Sequence, residues 1–313
     1  MEKVYFSHDG AVDDFISLFL LLQMENVELI GVGAIGADSY VEPAVSVSRK
    51  IIDRFGHGAQ LEVAQSNSRP AHPFPKEWRL DSYSENNLAI LNEQTAIKTP
   101  LADKLAHEDL ADKLMQSTEP VTLVMTGPLS DLARALKLQP AISTKIKRIV
   151  WMGGTFMEAG NVAEPDSDGT QEWNAFWDPE ATKIVFDTDI PIEMVALEST
   201  INVPLTNSVR NSWAQQHEHV GLDFLANSYA FVPELNQFET NSTYYLWDVL
   251  TTCYFYDASL VQTKRVNCDV SITAPSDGRT FLKEDGRPVT LVHDVDNARF
   301  FQTIQKLAKR ADD

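Results

Sequence analysis

Val4-Tyr5-Phe6-Ser7-His8-Asp9-Gly10-Ala11-Val12-Asp13-Asp14 joins a short apolar run to a helix pattern through three aspartates. Val4-Tyr5-Phe6 reads as a strand, and the pattern from Asp14 to about Met24 as a helix. The aspartates therefore fall where a strand ends and a helix begins, the ligand-binding edge of a parallel sheet. A helix N-terminus favours an ionised carboxylate by only about 0.3–1 kcal/mol. Three crowded carboxylates still repel, and one takes up a proton more readily unless a cation sits among them. Asp and carbonyl oxygens suit a hard cation such as Ca²⁺ or Mg²⁺. A helix cap beside a solvated pair has the same pattern. An EF-hand is excluded, because its loop needs Glu at the twelfth position, where this chain has Leu20. Ala11 excludes a phosphatase of the Asp-x-Asp type.

Outward from this stretch, strands and helices alternate. Strands are expected at Glu28–Val32, Leu61–Ala64, Pro120–Met125, Ile146–Met152 and Pro191–Leu197. Helices are expected near 42–54, 129–136 and 179–186. Repeated β-α-β units predict an α/β fold: an open, mostly parallel, Rossmann-like sheet with helices on both faces. The tail from about Val266 to Asp294 alternates like strands, with Asp285-Gly286 as a hairpin turn, and Asp296 caps a last helix, Ala298 to Lys309. One domain, 1–313, is expected, with irregular segments near 66–87, 155–173 and 225–247 as active-site loops.

The 313 residues carry a formal net charge of −19. Such a surface repels nucleic-acid phosphates and anionic lipids, and leaves a small neutral substrate or a bound cation as the fitting partner. The longest apolar run, Phe15 to Leu22, is too short to span a bilayer. Cys253 and Cys268 form neither a CxxC pair nor a metal-type spacing and read as reduced thiols. With no secretory signal ahead of Val4, a cytoplasmic location is expected.

Asp9-Gly10-Ala11-Val12-Asp13-Asp14 resembles the Asp-x-x-x-Asp-Asp motif that opens nucleoside hydrolases. Thr126-Gly127-Pro128-Leu129, Met152-Gly153-Gly154, Gly160-Asn161, Glu172-x-Asn174, Asp178-Pro179-Glu180-Ala181 and Trp247-Asp248 are similar to later family segments, in order, over about 240 residues. The resemblance implies the nucleoside hydrolase fold and one Ca²⁺ held by Asp9, Asp14, Asp248 and the Thr126 carbonyl. It makes Asp13 the general base that activates water. Asn161, Glu172 and Asn174 would bond the ribose hydroxyls, with Met152 under the sugar. The substrate would be a nucleoside, and the family's assemblies suggest a homodimer.

In the family's broad-specificity branch a His precedes the last metal-binding Asp. Trp247 stands there instead, which resembles the purine-specific branch. Asp38 and the segment Phe74-Pro75-Lys76-Glu77-Trp78-Arg79 agree with that branch and place Glu77 and Trp78 in the substrate site. Two electron-rich indoles around a purine would favour its protonation at N7. One position departs from the branch, which usually has Asn where this chain has Ala11. Two rivals follow from the sequence. One is a calcium-dependent nucleoside or sugar binder without catalysis. The other is a dinucleotide site at Gly31-Val32-Gly33-Ala34-Ile35-Gly36, which matches GxGxxG but reads as the strand itself.

Overall fold

The structure is a computed structural model that describes residues 1–93, 96–230 and 244–312. Its strands are β1 (Glu2–His8), β2 (Val27–Ala34), β3 (Val63–Gln65), β4 (Val121–Met125), β5 (Ile146–Met152), β6 (Ile192–Val195), β7 (Pro204–Leu205), β8 (Tyr244–Tyr245), β9 (Val261–Val270), β10 (Thr280–Leu282) and β11 (Arg287–Val295). Nine of them form one sheet, in the order β10-β9-β11-β6-β5-β4-β1-β2-β3, and β7 with β8 forms a separate pair. From β3 to β11 all pairings are parallel. β9 pairs antiparallel with both of its neighbours.

β1 shows why the sheet is covered on both faces. Val4 and Phe6 enter one core, with the helices Val12–Leu22, Val41–Phe55, Val220–Ala230, Trp247–Tyr256 and Asn297–Lys309. Tyr5, between them, enters the opposite core, against Leu110, Leu114, Leu132 and Val185 from the helices on the other side. A strand buried on both faces must be a continuous apolar run, as this one is. The helix Val12–Leu22 is itself buried from Val12 to Leu21, as expected of one that is apolar all round.

The expected open, mostly parallel sheet is therefore the observed one. Gly31 and Gly33 lie within β2, where an added Cβ would meet the Tyr5 ring at 2.6 Å and its hydroxyl at 3.0 Å. They make room for a large side chain of the neighbouring strand, and do not form the phosphate-binding turn that a dinucleotide site requires. The Asp285-Gly286 turn exists, but it does not make a hairpin: β10 and β11 pair with opposite edges of β9. The turn passes so close over β9 that a Cβ on Gly286 would lie 2.5 Å from the Cys268 carbonyl oxygen. Of the loop expected near 225–247, residues up to 230 continue the helix Val220–Ala230, and 231–243 lie outside the described residues. Among the described residues no helix is long and apolar enough to cross a membrane.

Candidate active site

The chain leaves β1 and returns on its two sides, to β2 and, after β3, to β4. Such a reversal of strand order opens a crevice at the strands' carboxyl ends. Asp9 follows β1 directly, and Thr126 follows β4, where its N–H donates to the Ser7 carbonyl at 2.9 Å. Gly127 is required for this approach, because a Cβ there would lie 2.8 Å from the Asp9 Cβ. The turn after β1 then starts the helix Val12–Leu22 and carries Asp13 and Asp14 in its first turn.

Four carboxylates from two distant parts of the chain are buried here: Asp9, Asp13, Asp14 and Asp248 are each at most 5% exposed. Asp248 arrives on the first turn of the helix Trp247–Tyr256. Neutral donors hold three of them. Asp14 accepts from the Thr126 hydroxyl and, at 2.8 Å, from the Ala11 N–H. Asp9 accepts from the Asp38 N–H at 3.2 Å. Asp13 accepts from the Tyr244 hydroxyl at 2.9 Å and from the Asp248 N–H at 3.1 Å. Burial pushes Asp13 up to about 7, helped by Asp14 and opposed by the Asp248 and Tyr244 donors. Burial first, then the neighbouring carboxylates, pushes Asp9 and Asp248 well above the usual carboxylate range.

A cluster so repelled holds either protons or a cation. Its donors, carboxylates and the Thr126 carbonyl, are all oxygen, and that chemistry fits a hard divalent ion. Among the described residues no group of His, Cys, Asp or Glu side chains is drawn together tightly enough to hold an ion as it stands. Asp14 spends both oxygens and Asp9 one of them on protein donors.

Above the carboxylates lies a cavity of about 250 Å³. Its floor is Asp9, Asp13, Thr126 and Asp248, and Asp38, Met152, Asn161, Glu172, Asn174, Trp78 and Trp247 also line it. Glu172 caps the helix Trp173–Trp177: its carboxylate accepts from the N–H groups of Asn174, Ala175 and Gly154 at 2.9, 3.2 and 2.8 Å. Burial outweighs these bonds and pushes its pKa up to about 7. Asn174 donates its amide to the Thr126 and Met152 carbonyls, each at 3.1 Å, which ties the floor to the wall. Asn161 accepts from the Trp173 N–H at 3.1 Å.

Two expected site residues do not line the cavity. Glu77 is exposed and faces Lys76 at 3.7 Å, so it does not line the cavity. Asp14 is fully buried beneath the floor, with both oxygens bonded. Trp78 packs edge-on against Trp173 at 5.8 Å, and Trp247 edge-on against Tyr244 at 4.8 Å. Phe74, Asp81, Trp173 and Tyr244 also line the cavity and were not expected there. Phe74 and Trp173 adjoin motif residues and stack on each other at 4.4 Å; their aromatic character in irregular segments was the available signal. Ala11 is buried and does not line the cavity.

A family model described as inosine-uridine preferring nucleoside hydrolase matches residues 4–302. A probable uridine nucleosidase 1 from Oryza sativa subsp. japonica is 29% identical over 67% of this chain, a stretch that spans 64% of the rice protein's own length. The crystal structure of an inosine-uridine preferring nucleoside hydrolase from Bacillus anthracis superimposes with a TM-score of 0.95 at 54% identity, over 99% of this chain and 100% of that one. A purine-preferring ribonucleoside hydrolase from Gardnerella vaginalis gives 0.80 at 25% identity, over 98% and 99%. With its sheet, its buried carboxylates and a family match over nearly the whole length, the chain belongs to the inosine-uridine preferring nucleoside hydrolase family.

Proposed function

We propose that this protein hydrolyses the N-glycosidic bond of purine ribonucleosides, with Ca²⁺ as its cofactor. The observation that carries the reading is the buried Asp13 carboxylate, fixed by Tyr244 and the Asp248 N–H at the floor of a cavity whose walls hold Trp78 and Trp247. When bound among Asp9, Asp14, Asp248 and the Thr126 carbonyl, Ca²⁺ supplies positive charge that orients water and the ribose hydroxyls. Asp13 takes a proton from the attacking water. The water oxygen bonds to C1′, the C1′–N9 bond breaks with its electron pair on the base, and the base takes a proton from solvent at N7. Glu172 uses three of a carboxylate's roughly four acceptor sites on backbone donors, which leaves one for a ribose hydroxyl. Asn174, its amide nitrogen committed to carbonyls, offers its oxygen to another.

Purine preference is supported by the two indoles. Stacking on an aromatic is worth about 1–3 kcal/mol per base, and a purine presents more face than a pyrimidine. The names of relatives point both ways, to uridine for the rice protein and to purines for the Gardnerella one. A second reading, a nucleoside binder with little catalysis, is favoured by Ala11, which puts no polar group into the cavity. A cytoplasmic homodimer completes the proposal, with ultracentrifugation as the check on assembly. The deciding experiment measures hypoxanthine and ribose released from inosine, and uracil from uridine, with and without chelator. Chelator-sensitive release from inosine well above uridine is expected. Equal kcat/KM for the two removes the purine assignment. Binding without release establishes the binder instead.

A further inference from the structure

The loop that carries Phe74 and Trp78 is fastened at His72. The His72 ring stacks on Phe176, with centroids 4.0 Å apart and planes within 8°. Its Nδ1 lies 3.0 Å from a carboxylate oxygen of Asp166 and its Nε2 lies 2.7 Å from one of Asp277. Asp166 belongs to the irregular segment 155–173, and Asp277 to the turn between β9 and β10. The backbone repeats the attachment: the N–H groups of Ala71 and His72 both donate to the Trp177 carbonyl, at 2.9 and 3.3 Å. Three segments far apart in sequence thus meet on one side chain.

Each ring nitrogen of His72 has a carboxylate oxygen within hydrogen-bond distance, so the two Asp side chains grip the ring from opposite sides while Phe176 covers its face. Phe176 sits on the same short helix as Trp173, and Trp173 stacks on Phe74, two residues beyond His72. The clamp therefore sets the position of the Phe74, Trp78 and Trp173 wall of the cavity without itself lining it.

We infer that His72 is a positioning residue, a clamp between Asp166 and Asp277 that holds the aromatic wall in place for the nucleobase. The kinetic part of the inference rests on the hydrolase reading; the clamp itself does not. The test compares His72→Gln, Asp166→Asn and the parent protein by amide hydrogen exchange over residues 69–80, and by kcat and KM for inosine. The Asp166 carboxylate is exposed, so its variant folds even if the His72 variant does not. Faster exchange confined to 69–80 is expected in both. A rise in KM of about tenfold with kcat little changed is also expected, near the size of one lost hydrogen bond. Unchanged exchange in Asp166→Asn overturns the clamp. Faster exchange with unchanged KM, or a fall in kcat alone, overturns the positioning role. If the parent releases no base from any nucleoside, the hydrolase reading fails, and the exchange data still decide the clamp.

Discussion

Asp13 separates a hydrolase from a binder. Its two oxygens are held by Tyr244 and by the Asp248 N–H, so Asp13→Asn keeps the size of the side chain and removes the base. It should lower kcat by roughly 10²–10⁴, the usual contribution of a general base, while nucleoside affinity measured by tryptophan fluorescence changes little. Near-parent turnover in that variant would place the base elsewhere. Trp247→Ala should lower kcat on inosine as well as raise KM, because the indole favours the protonated leaving base. A nitrophenyl riboside, whose leaving group needs no proton, should lose less; equal losses would leave Trp247 a role in binding only. The carboxylates were legible from sequence because a strand end, a helix start and a six-residue spacing lie together in one short stretch. Tyr244 was not, since its bond to Asp13 depends on how the helix Trp247–Tyr256 docks against the helix Val12–Leu22. Glu77 lies off the cavity for the opposite reason: proximity to Trp78 in sequence does not turn its side chain the same way.

At the level of elements, alternation of apolar runs and helix patterns showed the parallel sheet, because strands buried on both faces cannot hide their composition. The helix Trp247–Tyr256 was missed. Its sequence, WDVLTTCYFY, is rich in β-branched and aromatic residues that favour strands, and burial in the core overrides that preference. The order of β9, β10 and β11 was illegible because a turn signal does not say which edge the chain returns to. One helix pairing is measurable by pH. Glu85, on the helix Asp81–Asn86, is fully buried and accepts from the Ser228 hydroxyl of the helix Val220–Ala230 at 3.0 Å. Burial pushes its carboxyl from its ordinary 4.5 up to about 8. The folded value exceeds the unfolded one, so the folded state binds the extra proton between them. This contribution to stability is full below about 4.5, declines as pH rises, and is gone above about 8. Glu85→Gln should flatten that slope and stabilise the protein at alkaline pH by up to a few kcal/mol; denaturant unfolding at several pH values checks it, and an unaltered slope refutes it. Backbone contact governs the wall beyond Met152. A Cβ on Gly160 would lie 1.8 Å from the Gln171 carbonyl oxygen. Gly160→Ala should force the backbone at Gln171 apart, displace Asn161, raise KM for inosine severalfold and lower Tm; an unchanged KM would free Asn161 from the substrate.

For the molecule as a whole, four buried carboxylates make the site a source of strain that a cation relieves. A ligand that binds only the folded state adds about 2.7 kcal/mol at a hundred times its Kd. Saturating Ca²⁺ should therefore raise Tm by a few degrees, and Asp248→Ala should erase the rise along with activity. A Tm indifferent to Ca²⁺ and to chelator would remove the metal assignment. The sheet order also bears on how the protein comes into being. β1 lies inside the sheet and is flanked on one side by β4, and Asp248 reaches the cluster from about 240 residues beyond Asp9. On the ribosome, the nascent chain carries Asp9, Asp13 and Asp14 from the start but lacks Tyr244, Trp247 and Asp248 until most of it has been translated. A chain stalled or clipped before Tyr244 thus holds three of the four carboxylates and none of the groups that aim Asp13. Such a chain cannot complete the buried cluster that aims Asp13.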